Sequence, residues 1–180
     1  MFTMCDEMWN SVDIYGPQAE IERFKRLCIV RGPINDWEDN ELAIDLTRIP
    51  GYGRTAWNFR ELGPHEHCMY SFAFDTVASF PSAEFEELAE LFPKLAFDCE
   101  CIADDDRSMG YGWFNVPPGG RGFRDDCNVP KGYWTKGISK RPPAAEKRHA
   151  AVIAALKQDL LEATTRSLLG RSVSQRGRLH

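Results

Sequence analysis

The 180-residue chain has no apolar run approaching the roughly 20 residues that a membrane-spanning helix requires. Its first residues, Met1-Phe2-Thr3-Met4-Cys5-Asp6-Glu7, carry neither the basic nor the apolar segment of a secretory signal. These absences lead to the expectation of a cytoplasmic protein, not membrane-associated, with its thiols reduced. Positive charge is also in deficit, with 22 Lys and Arg against 27 Asp and Glu for a formal net charge of −5. That balance speaks against a dedicated nucleic-acid binder, whose affinity rests on neutralising phosphates. Catalytic signatures are missing as well. There is no Walker or dinucleotide glycine pattern, no H-E-x-x-H helix and no Ser/His/Asp or Cys/His arrangement. Gly110-Tyr111-Gly112 and Gly119-Gly120 are too short to cradle a phosphate. No cofactor and no catalytic residue is therefore expected, and an enzyme with a dispersed site ranks last among the function classes.

Cysteine is not scarce, but its spacing is uninformative. Cys5, Cys28, Cys68, Cys99, Cys101 and Cys127 show no second pair at zinc-ligand spacing. Cys28, Cys99 and Cys101 fall inside apolar patterns, as small buried hydrophobes do. His65-Glu66-His67-Cys68 is the densest group of possible ligands, with Cys99 or Cys101 to complete a tetrahedron. The expectation is nonetheless no metal, because structural zinc sites show paired ligands. Asp104-Asp105-Asp106 lacks the spacing and terminal glutamate of a calcium loop and reads as a solvated turn.

Hydrophobic residues make up 43% and charged residues 27% of the chain, enough for a folded core. Val12 to Tyr15 alternates and Gly16-Pro17 stops it, which predicts a strand and a turn. Ile21, Phe24 and Cys28 then mark one face of a helix ended by Arg31-Gly32-Pro33. Leu42 to Leu46 suggests a short strand, and Arg54 to His65 shows no assignable pattern. Tyr70, Phe72 and Phe74 share one face of a strand, Pro81 closes it, and Ser82 is a candidate N-cap. Phe85, Leu88, Ala89 and Phe92 line a second helix stopped by Pro93. Leu95, Phe97, Cys99 and Cys101 then point inward with Asp98 and Glu100 outward, and Met109 to Val116 pairs back as a hairpin strand. Arg121 to Pro143 reads as loop. A long helix begins at Ala144, carries Ile153, Leu156 and Leu160 on one side, and ends at Gly170.

This order of elements predicts an α+β protein: a ferredoxin-like split βαβ antiparallel sheet with helices on one face, plus a C-terminal helix. The core spans 8–116 with an irregular insertion near 31–66, and 117–180 forms a loop and helical extension. Asn10-x-Val12-x-Ile14-x-Gly16-Pro17, Phe74 to Pro81, Phe92-Pro93-x-Leu95-x-Phe97 and Met109-Gly110-Tyr111-x-Trp113 occur in the order and character of segments in one family. On these segments the chain resembles the YubB-like ferredoxin-fold proteins carried by phages and plasmids. Glu7-Met8-Trp9 and Ala78 depart from aromatic positions of that family. The resemblance implies the fold and an accessory role of unknown function, without an assigned activity.

The expected function is accordingly a non-catalytic binding module for an unknown protein or small ligand. Its site is expected where the 52–67 loop, the end of the Tyr70 strand and the Tyr111–Trp113 hairpin meet, with Trp57, Asn58, Tyr111 and Trp113 as ligand-binding residues. The alternative is a weak single-stranded nucleic-acid binder, with sheet aromatics stacking bases. Lys131, Lys136, Lys140, Arg141, Lys147 and Arg148 would supply its charge. The C-terminal helix either packs on the open sheet face of a monomer or joins two copies.

Overall fold

The computed structural model describes residues 7–32, 39–46, 56–63, 70–103, 108–116, 120–126 and 143–176. Strand β1 (Glu7–Tyr15) runs through Gly16-Pro17 into helix α1 (Gln18–Cys28). Gly16 lies at φ 151°, and a Cβ there would come within 2.7 Å of both Leu95 Cδ2 and Lys94 O. Glycine is needed at this turn for its backbone conformation and for close approach. The helix ends at Cys28 and runs directly into β2 (Ile29–Arg31), whose β-branched residues prefer an extended backbone, so it stops before the Arg31-Gly32-Pro33 expected to end it. β2 pairs with β3 (Leu42–Ile44) as a two-stranded sheet of its own.

The main sheet has six strands, all antiparallel to their neighbours, in the order β4-β5-β1-β6-β7-β8. Here β4 is Trp57–Leu62, β5 Tyr70–Val77, β6 Ala96–Ala103, β7 Met109–Val116 and β8 Gly120–Asp126. Strand β1 lies between β5 and β6, which run the same way and are joined by helix α2 (Ser82–Leu91). Ser82 is the first helical residue, not the N-cap. Pro81 holds the cap position and accepts the Phe85 N–H at 3.1 Å. The segment from 121 onward, expected as loop, contributes β8 to the sheet edge.

Register divides the sheet cleanly. Val12 and Ile14 lie beside Phe72 and Tyr70 on one side and beside Cys99 and Phe97 on the other, all on one face. Helices α1 and α2 bury Ile21, Phe24, Cys28, Phe85, Leu88 and Ala89 against that face in one continuous core. Each buried large side chain contributes about 1.5–3 kcal/mol by leaving water. Two aromatic hubs organise it. The Phe24 ring lies 5.9 Å from Phe72, 5.7 Å from Phe92 and 5.9 Å from Phe97. The Phe85 ring lies 4.9 Å from Phe80, 5.8 Å from Phe97 and 5.9 Å from Phe114. Such contacts add to area burial through their edge and offset geometry.

The end of β7 is locked to this layer by Asn115, at φ 57° beside a register shift in the β7–β8 pairing. Its side-chain amide donates to Ala89 O at 2.8 Å, Leu95 O at 3.0 Å and Phe92 O at 3.3 Å. The bond to Ala89 satisfies a carbonyl that the end of α2 leaves without a helical partner.

Helix α3 (Pro143–Arg176) packs on the opposite face, over β7 and β8. Ile153, Leu156 and Leu160 cover Tyr111 and Trp113. A Cβ at Gly122 of β8 would lie 3.0 Å from Leu160 Cδ2, so glycine lets the helix sit close. The helix continues through Gly170, expected to end it, because an interior glycine costs about 1 kcal/mol without breaking the hydrogen-bond ladder. Among the described residues no helix is long and apolar enough to cross a membrane.

Candidate functional site

The face that carries α3 is polar where the helix does not reach. Three rows of side chains cross it in register. The first is Trp57, Asp75, Trp9, Ile102 and Met109; the second Arg60, Ala73, Ser11, Glu100 and Tyr111; the third Leu62, Ser71, Asp13, Asp98 and Trp113. Between the β4 edge and α3 the middle strands carry the small residues Ala73, Ser11 and Ser71, of which Ala73 and Ser71 are buried.

At the β4 edge the pairing with β5 is interrupted between Trp57 and Arg60. Asn58 sits in this irregularity at φ 52°, a left-handed conformation that asparagine tolerates better than most residues. The bulge re-aims the strand's side chains. Asn58 Nδ2 donates to Asp75 Oδ2 at 2.6 Å, and Arg60 Nη1 lies 3.5 Å from Asp75 Oδ1. Trp57 Nε1 reaches past β5 to donate to Glu7 Oε1 at 3.0 Å. Asp75 itself is only 1% exposed. Burial pushes its pKa up, Asn58 and Arg60 pull it down by weaker amounts, Glu7 adds to the rise, and the net direction is upward.

On the far side, Tyr111 and Trp113 are buried under α3. Lys157 of α3 places Nζ 3.1 Å from Asp98 Oδ2 and 5.2 Å from the centre of the Tyr111 ring. Burial and then the Asp98 carboxylate hold the Tyr111 phenol well above its ordinary range. Trp113 Nε1 has no hydrogen-bond acceptor among the described residues.

Of the four residues singled out from sequence, Trp57, Tyr111 and Trp113 share this face, and Asn58 reaches Asp75 from its edge. They do not form one cluster. Four inter-strand spacings, about 19 Å, separate β4 from β7. What lies between them was not anticipated: Glu7, Arg60 and Asp75 at one margin, Ser71, Asp13 and Asp98 toward the other. The polar residues of alternating strands were the available signal, but only the pairing of β4 shows which of them face each other.

The aromatics expected to stack bases, Tyr70, Phe72, Phe74, Tyr111 and Trp113, are covered, the first three by the α1–α2 layer and the last two by α3. Cys99 and Cys101 are buried on the helix-packed face, and burial raises the Cys99 thiol pKa further from reactivity. His65, His67, Cys68, Asp104–Asp106 and the basic residues 131–141 lie outside the described residues. No group of three ligating side chains among the described residues is arranged to hold a metal ion. Comparison with protein-family models, curated proteins and solved structures finds no match.

Proposed function

We propose that this chain is a binding module and not an enzyme, with the polar floor between β4 and α3 as its recognition surface. The observation that carries this reading is Asn58. Held in a left-handed conformation on a bulged edge strand and reaching 2.6 Å to a buried carboxyl, it turns a polar group of the sheet edge onto this face. The polar groups of this face are spread over rows of a sheet and do not converge on one atom, which suits recognition better than bond-making. Asp13, Asp98 and Glu100 give the floor the wrong sign for a phosphate backbone, which favours this reading over nucleic-acid binding.

The scaffold we propose is a ferredoxin-like core of β1, α1, β4, β5, α2 and β6. In support, β4-β5-β1-β6 is the strand order of that fold, and each helix lies in a connection between two like-directed strands that flank a third. An accessory role in a phage or plasmid is what the resemblance to YubB-like proteins implies.

A fragment screen read by amide chemical shifts of the full chain tests the recognition surface. The expected result is saturable shifts confined to 9–13, 57–60, 71–75 and 98–100, lost in Trp57→Ala or Arg60→Glu variants that keep the rest of the spectrum. Hits that map elsewhere, or that both variants leave unchanged, would overturn the placement.

A further inference from the structure

The third row of the polar face holds an arrangement that the β4 edge does not use. Asp13 on β1 stands directly opposite Asp98 on β6, and Glu100 is two residues along on the same face. On its other side Asp13 stands opposite Ser71 of β5, which is 1% exposed and whose Oγ has no hydrogen-bond partner. An unpartnered buried hydroxyl costs stability, so its presence beside carboxylates calls for an occupant. The Asp13 side chain makes no hydrogen bond or ion pair with the described residues.

The chain itself shows which chemistry fits. Lys157 lays a primary ammonium against Asp98 at 3.1 Å with its charge over the Tyr111 ring at 5.2 Å. That is a carboxylate and an aromatic face shared by one alkylammonium group. Asp13 and Ser71 repeat the acceptor part of this arrangement one strand away without a cation. An alkylammonium needs only one or two carboxylates and a hydroxyl acceptor.

We infer that the Asp13–Ser71–Asp98 corner binds the ammonium end of a primary alkylammonium ligand, either a free polyamine or a lysine side chain. The inference rests on the reading of this face as the recognition surface and names the ligand class for it. The ammonium donates to the Asp13 carboxylate and Ser71 Oγ and shares Asp98 with Lys157.

The test is an amide-shift titration of the full chain at low salt with two probes, spermidine and an acetylated, amidated Gly-Lys-Gly peptide. The expected result is saturable shifts at 11–14, 70–73 and 97–100 with at least one probe. Affinity should fall at least tenfold in Asp13→Asn and rise severalfold in Lys157→Met, which releases Asp98. Spermidine binding alone assigns a free amine, and peptide binding alone assigns a lysine side chain. If neither probe gives saturable shifts, or if Asp13→Asn and Lys157→Met both leave the affinity unchanged, the ammonium assignment is wrong. Should neutral or anionic fragments shift the same amides while both probes fail, the recognition surface stands and only the ligand class falls.

Discussion

The two faces of the sheet are built on opposite principles from the same strands. On the α1–α2 face, β1, β5 and β6 present Val12, Ile14, Phe72, Phe74, Phe97 and Cys99 to two helices, with buried Asn10 and Thr76 hydrogen-bonded to each other among them. On the α3 face the same strands present Asp13, Ser71, Asp75, Asp98 and Glu100, and α3 covers mainly the β7–β8 side. The first face is mainly apolar, with Asn10 as its buried polar exception. The second holds a buried carboxyl and a buried hydroxyl that burial disfavours. On the reading proposed above the second side is the recognition surface, so substitutions on the two sides should behave differently.

The largest effect belongs to the aromatic hubs. Phe24→Ala or Phe85→Ala removes a ring that touches several others, and should lower unfolding free energy by about 3–5 kcal/mol, read from the urea midpoint. A loss below about 1 kcal/mol would mean that the core is not organised around these rings. Next in size is Gly16→Ala, which forces a Cβ against Leu95 and the Lys94 carbonyl in a disfavoured backbone conformation. It should cost about 1–3 kcal/mol, measured the same way. Asn115→Ala should cost about 1–2 kcal/mol by leaving the Ala89 and Leu95 carbonyls unpaired. Asn115→Gly, which suits the positive φ but restores no donor, should recover only part of that loss.

On the polar face the expected effects are smaller and differ in kind. Asp75 has its pKa raised above 3.8, so the folded state holds the proton more tightly than the unfolded state. Between 3.8 and the higher folded value, its contribution to stability therefore grows as pH falls and is lost as pH rises through the folded pKa. In Asp75→Asn this part of the pH dependence should vanish, so that the difference in melting temperature between wild type and variant changes steadily across that window. A constant difference would show that Asp75 titrates as it does in the unfolded chain.

The helix-packed face was legible in the sequence because its periodicities are unbroken. Leu95, Phe97, Cys99 and Cys101 alternate without interruption, and Ile21, Phe24 and Cys28 keep helical spacing. β4 was not legible, because the bulge at Asn58 breaks the period-two pattern of Trp57–Leu62. β8 was not legible either: Gly120-Arg121-Gly122 carries no apolar alternation, and its glycine answers to Leu160 of a distant helix. The candidate site suffered most. Asp75 lies among phenylalanines that dominate any reading of β5, and its burial depends on partners 15 and 17 residues earlier in the chain, Arg60 and Asn58. Ser71 and Asp13 carry no motif, and become notable only when the register sets them opposite each other.

The division between the faces is tested most directly by urea unfolding of Ser71→Ala beside wild type. If the Ser71 hydroxyl serves recognition and has no structural partner, deleting it removes an unpaired buried group. The midpoint should then stay equal to wild type or rise, by the equivalent of up to about 1–3 kcal/mol. A midpoint lowered by the equivalent of about 1 kcal/mol or more would show that the hydroxyl belongs to the packed structure, and would contradict the account.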